Sequence, residues 1–268
     1  MLVVADHCNH SCDPNTWVSV SGDSVQFRPI RPIARGEELT FTYTDLYLPR
    51  PDRQEKMLRS HCFTCACERC TDASKASLDD RITGLRCHYA TCTDDAAVMP
   101  IATGLCSTCG KRHNRGSRYI QQLYMDAVER LQEGETAFKQ GQHREARIVF
   151  EKLLSDFSDE LYKSHLVVYS AYHHLSTLCT KLKDHEAAAG YCREAIRCLE
   201  EMFPKYHTET AMMHRDLAFI EWGAYTDLRD LLRKTANEED EQEIDLSNRI
   251  SEYEEQERPH VAKARRLG

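Results

Sequence analysis

Thirteen cysteines stand in this chain of 268 residues, and nine of them fall between Cys12 and Cys109. Cys65-x-Cys67-x-x-Cys70 puts three thiols into one short loop. Cys87-x4-Cys92 and Cys106-x2-Cys109 make two further knuckles. The start, Met1-Leu2-Val3-Val4-Ala5, runs straight into Asp6 and His7 and is too short and too little basic for a signal peptide. An intracellular protein is therefore expected, and there clustered cysteines read as metal ligands rather than disulfides. Tetrahedral zinc takes four thiolates and, once closed, has no open position for water, so both sites are expected to be structural. The Cys87, Cys92, Cys106 and Cys109 quartet is complete and reads as a zinc ribbon, with His88 and His113 near enough to substitute. The Cys65–Cys70 loop needs a fourth ligand, and spacing alone offers Cys62. Cys8, Cys179, Cys192 and Cys198 stand apart from any ligand spacing.

Two other runs contain groups able to do chemistry. Asn9-His10-Ser11-Cys12-Asp13-Pro14-Asn15 is dense in Asx and Pro, which predicts a tight loop rather than regular structure. Gly36-Glu37-Glu38-Leu39-Thr40-Phe41-Thr42-Tyr43 ends on a phenol at a strand end, a place where a core residue with a satisfied hydroxyl is common. Glu37 and Glu38 read as surface turn residues.

Taken in order, these two runs and Cys62-Phe63-Thr64-Cys65-Ala66-Cys67-Glu68-Arg69-Cys70 resemble the C-terminal half of a SET domain with its post-SET segment, the catalytic unit of protein-lysine methyltransferases. With the helical remainder, the layout resembles the SET and MYND domain family. The resemblance implies that Asn9 and His10 bind S-adenosylmethionine, that Cys12 is the fourth zinc ligand beside Cys65, Cys67 and Cys70, and that Tyr43 lines the lysine channel. It also implies that Phe63 stacks on the cofactor adenine, against the alternative of a plain packing residue. His61 stands where relatives tend to carry a channel-lining Tyr. No Gly-x-Gly cofactor loop stands near Met1 and no MYND cysteine pattern occurs. The chain is therefore expected to start midway through a SET domain and to be inactive by itself.

The elements that must hold these groups follow from periodicity. Thr16–Val20 and Ser24–Arg28 alternate about a Ser21-Gly22-Asp23 turn and predict a hairpin. Leu39–Tyr43 predicts a strand. Asp52–Arg59 predicts a helix capped by Asp52, and 72–80 a polar linker. Little periodicity marks 62–115, so metal is expected to order it. From Arg118, apolar residues recur at helical spacing: Ile120, Leu123, Tyr124, Ala127, Val128, Leu131. Gln142–Leu154 aligns with Asp184–Ile196 at an offset of 42 residues, longer than the ~34 of a tetratricopeptide repeat, with Ala146 and Ala188 at the expected tight crossings. Pro204 is expected to end another helix, and the charged stretch Glu238 to Arg266 to be a solvated helix or disordered. The expectation is an α+β chain: 1–59 the β-rich half of a SET domain, 60–115 a zinc-bound cysteine-rich segment, and 116–268 a tetratricopeptide-like helical domain.

The net charge of −8 is unevenly spread. Residues 1–115 hold 14 basic and 14 acidic side chains, so the whole excess lies in the helical part. Nucleic-acid binding through that part would need a basic face, so neither it nor a zinc-finger transcription factor is expected. No apolar run approaches the ~20 residues of a membrane span. The expected function is S-adenosylmethionine-dependent methylation of a lysine-bearing protein, histone or cytosolic, in nucleus and cytoplasm. Two zinc ions are expected, with further protein partners on the helices. The alternative is a non-catalytic, zinc-stabilised adaptor.

Overall fold

The computed structural model describes residues 8–72, 77–203, 207–235, 249–253 and 255. It is an α+β chain with a helical C-terminal part. Pro204 and most of Glu238 to Arg266 lie outside the described residues. Two compact units emerge, Met1–Tyr124 with Ser158–Leu166, and Met125–Phe157 with Val167–Gly268.

In the first unit, β2 (Thr16–Ser21) and β3 (Ser24–Pro29) form the predicted hairpin, each strand one residue longer at its C-terminal end than the alternation suggested. Ser21 pairs Ser24, so the turn narrows to Gly22-Asp23, and Gly22 takes a φ of +55° that glycine adopts without steric cost. The strand expected over 39–43 shrinks to β4 (Thr40–Phe41). Its partner corrects a second expectation. Asn9–His10 is not a loop but a short strand, β1, pairing in parallel with β4. Ser11 N–H extends the ladder to the Phe41 carbonyl at 3.1 Å. The turn-forming Asp13-Pro14 lies beyond that pairing and does not prevent it.

Helix α1 (Arg50–His61) begins two residues before its expected start. Pro49 is the N-cap and Pro51 occupies the first turn, where its missing N–H costs nothing, so Asp52 is not the cap and sits within that turn. The helix ends at Cys62, which adopts the left-handed conformation with φ +59°. Two short helices follow, α2 (Glu68–Thr71) and α3 (Leu78–Thr83). The second replaces part of the expected linker. Ser77 caps it by accepting from Asp80 N–H at 3.1 Å, and the Asp80 carboxylate accepts from the Ser77 hydroxyl at 2.8 Å. The strand pair β5 (Leu85–Arg86) and β6 (Val98–Met99) is anchored by the returning segment 158–166, through Arg86 N–H to the Glu160 carbonyl at 2.9 Å and Tyr162 N–H to the Gly84 carbonyl at 3.0 Å.

Helix α4 (Gly116–Lys139) starts in the first unit and runs into the second. There it is joined by α5 (His143–Phe157), α6 (Leu166–Lys181), α7 (His185–Met202) and α8 (Thr208–Thr235). The aligned segments are α5 and α7, and Ala146 and Ala188 are both fully buried. Asp184 caps α7 by accepting from Ala187 N–H and also holds Arg147 of α5 at 2.9 Å. Gly134 marks the closest approach of α4 to α5: a Cβ there would lie 2.5 Å from the Phe150 ring. Among the described residues, no helix is long and apolar enough to cross a membrane.

Candidate functional site

The structure brings Cys12, Cys65, Cys67 and Cys70 together, their sulfurs all within 4.8 Å of one another. Cys12 comes from the turn after β1, Cys65 and Cys67 from the loop after α1, and Cys70 from α2. Cys12 and Cys70 sulfurs are 3.5 Å apart. A zinc ion with sulfur ligands at 2.3 Å would set tetrahedral sulfurs about 3.8 Å apart, so the group fits that ion. Cys62, the alternative ligand, is exposed at the α1 C-cap and stands outside the cluster. Hydrogen bonds from the Cys67 and Cys70 sulfurs, with burial, drive the Cys12 thiol upward, while contacts with Cys12 and Cys70 drive Cys67 well down.

Cys87, Cys92, Cys106 and Cys109 form the second group, again within 4.8 Å. Cys87–Cys109 and Cys92–Cys106 are each 3.8 Å apart. Burial would raise Cys106, but N–H donors, that of Cys109 first, pull it down to about 7. Neither histidine replaces a cysteine here. His113 is buried, accepts from Arg115 N–H at 3.3 Å and stacks on Tyr119, and His88 lies against His113 and Tyr89.

Beside the first group lies a wall of rings. His10 is 5.3 Å from Tyr43 and 6.1 Å from Phe63, and His61 is 4.7 Å from Tyr43. The β1–β4 pairing places His10 next to Tyr43, and Tyr43 N–H donates to His10 Nδ1 at 3.1 Å. The other ring nitrogen, Nε2, is 3.2 Å from Cys12 Sγ, so one imidazole links the wall to the metal group. Burial lowers the His10 pKa and favours the neutral ring. The Tyr43 hydroxyl donates to the Cys8 carbonyl at 2.6 Å, and burial raises its pKa, so it stays protonated with lone pairs available as acceptors. Phe63 is half-buried, and Asn9 is exposed with its amide donating to Glu38. His10, Tyr43, His61 and Phe63 are thus brought together, while Asn9, the neighbour of His10 in β1, is tied to Glu38 instead.

Three contributors escaped the sequence reading. Asn15 is buried and fastens the Cys12 loop to the Gly36 turn: its amide donates to Glu37 Oε1 and the Glu38 carbonyl, and its oxygen accepts from Thr40 N–H. Glu37 also accepts from Ala34 N–H, which with Asn15 holds its carboxyl down to about 2 and makes it a turn-fixing group. Arg53 and Asp79 form a buried pair behind the first cysteine group. The signal available for Asp79 was Ser77-x-x-Asp80, a capping pattern that marks a helix where a linker was expected.

Residues 2–44 match the SET domain family. Human N-lysine methyltransferase SMYD2 is 40% identical over 75 residues, covering 27% of this chain and 17% of that protein. Mouse histone-lysine N-methyltransferase SMYD3 is 38% identical over 76 residues, 28% of this chain and 17% of that protein. Zebrafish N-lysine methyltransferase SMYD2-B is 23% identical over 206 residues, 76% of this chain and 41% of that protein. The chain thus spans well under half the length of these relatives. The chain is thus similar to a SET domain over 2–44 and to SMYD-named lysine methyltransferases over a longer stretch.

Proposed function

We propose that this chain supplies the post-SET side of an S-adenosylmethionine-dependent protein-lysine N-methyltransferase. The observation that carries the reading is the joining of Tyr43, His10, His61 and Phe63 into one ring wall, tied through His10 and Cys12 to a four-cysteine group. When bound, the cofactor supplies an electrophilic sulfonium methyl to a neutral lysine amine. The chain's own groups act around that transfer. Tyr43 presents an oriented hydroxyl oxygen to the amine and methyl, Asn9 and His10 hold the donor from the β1 edge, and Phe63 covers its base. Such alignment, in a site sheltered from water, is the main contribution a protein makes to this reaction.

Two zinc ions hold the scaffold, one on Cys12, Cys65, Cys67 and Cys70, the other on Cys87, Cys92, Cys106 and Cys109. Substrates are lysine-bearing proteins of the nucleus and cytoplasm, as the names of the relatives suggest for the reaction, and the tetratricopeptide-like helices offer surface for protein partners. The ring wall furnishes one side of the cofactor cleft.

The test joins residues 1–268 to the segment that precedes the matching region in a SET and MYND relative. With labelled methyl donor and mixed histone and cytosolic proteins, the joined protein should label lysines, and its Tyr43→Phe variant should label far fewer. A joined protein that folds, binds donor and labels nothing would favour the adaptor reading.

A further inference from the structure

Arg53 is fully buried, which is unusual for a guanidinium, and every side of it is engaged. Nε donates to Cys12 Sγ at 3.2 Å and Nη2 lies 3.7 Å from Cys70 Sγ. Nη1 donates to the Leu48 carbonyl, and both terminal nitrogens fork onto the Asp79 carboxylate at 2.6 and 2.9 Å. Asp79 also accepts from Arg69 at 3.1 Å, and Arg69 reaches back to the Cys12 carbonyl at 3.3 Å. Three helices and the Cys12 turn therefore meet at one buried set of charges.

The charges suit a particular occupant. Four thiolates around a divalent ion carry two negative charges. Arg53, Arg69 and Asp79 together carry one positive charge, with Arg50 3.7 Å from Asp79 at the edge. A buried cation cluster of this sign is costly unless an anion faces it. N–H donors to metal-bound sulfur withdraw charge from the thiolates and fix their directions.

We propose that Arg53, oriented by Asp79, is a positioning residue of the Cys12–Cys65–Cys67–Cys70 metal site, setting the charge and direction of the Cys12 and Cys70 sulfurs and so locking the turn that follows Asn9 and His10. The inference rests on the reading of these cysteines as a zinc site. It goes beyond that reading because Arg53 ligates nothing and lies outside the ring wall. Lysine could keep the charge but not the fork onto Asp79 together with a donor to sulfur.

The experiment compares the zinc-loaded chain with Arg53→Met and Arg53→Lys. Zinc transfer to a chelating dye is followed in time, with alkylation of released cysteines to identify the emptied site. Cobalt-substituted protein reports the sulfur-to-metal charge-transfer band. Arg53→Met should release the ion of the Cys12 site at least about tenfold faster, leave release from the Cys87 site unchanged, and shift the cobalt band; Arg53→Lys should recover part of both changes. If Arg53→Met does not accumulate folded, Asp79→Asn, which keeps both buried cations and removes the orienting carboxylate, should also shift the band and speed release from the Cys12 site alone. Unchanged release and an unshifted band in the folded variants would overturn the inference while leaving the zinc reading intact. An unaltered chain that takes up no metal at the Cys12 site would remove the zinc reading itself.

Discussion

The Tyr43 hydroxyl has one proton, and it goes to the Cys8 carbonyl 2.6 Å away, which leaves its oxygen lone pairs as acceptors. Replacing Tyr43 by Phe in a catalytically complete protein should cut turnover on the order of 10²-fold with donor affinity little changed, because a preorganised polar group at a reacting centre is worth about that much. The fold should lose about 1 kcal/mol or less for one hydrogen bond. Steady-state kinetics beside a melting curve would separate the two, and equal turnover would reduce Tyr43 to a packing residue. His165 makes a different kind of prediction. It is completely buried against Tyr124, and burial lowers its pKa to about 4. The folded ring is neutral, while the unfolded one takes up a proton below about 6.5. The unfolded state then binds more protons between those values, so stability is intact above pH 6.5 and falls as pH drops toward 4, by roughly 3 kcal/mol at full extent. In urea titrations at pH 7 and 4.5, His165→Gln should show a smaller loss between the two than the unaltered chain. At this scale the cysteine spacing made the Cys87, Cys92, Cys106 and Cys109 quartet legible, whereas Cys12, far from Cys65, Cys67 and Cys70 in sequence, followed only from the family resemblance. Arg53 and Asp79 were not legible, because nothing local distinguishes a buried arginine from a solvated one until its distant partners are placed.

Among elements, the hairpin and the long helices could be read from alternation and periodicity, as with Thr16–Ser21 and α5. The short pieces could not. β1 is two residues long and exists because β4 pairs with it, a contact some thirty residues away in sequence; no local pattern encodes that. α3 differs, since the Ser77-x-x-Asp80 cap was a local signal but was outweighed by a composition that read as linker. The reason for Gly134 within α4 lies across the crossing in Phe150, fully buried and stacked on His174 at 5.0 Å. Ala at this position gains about 1 kcal/mol of helix propensity but must displace a ring that has nowhere to go, an overpacking that costs about 1–3 kcal/mol. Gly134→Ala should therefore lower the melting temperature; a rise would show that Phe150 yields easily. The cysteine-rich elements make their own prediction. If the two quartets are independent sites, Cys87→Ser should reduce bound zinc from two ions to one by elemental analysis, with the ring wall undisturbed. Loss of both ions would mean that the β5–β6 module and the Cys12 site form as one.

For the whole molecule, the first unit carries the ring wall beside the Cys12, Cys65, Cys67 and Cys70 group, and the second unit is helical with its own core. The rings come from β1, the residues just after β4, the end of α1 and the loop after it. The central claim is that this wall binds the methyl donor and that metal keeps it in place. Isotope-labelled residues 1–268, loaded with zinc and titrated with S-adenosylmethionine, test it most directly. Weak but saturable resonance shifts should concentrate at Asn9, His10 and Phe63, with Tyr43 following, and should disappear in Cys65→Ser. No shift at these residues at high donor concentration, or shifts confined to other parts of the chain, would contradict it.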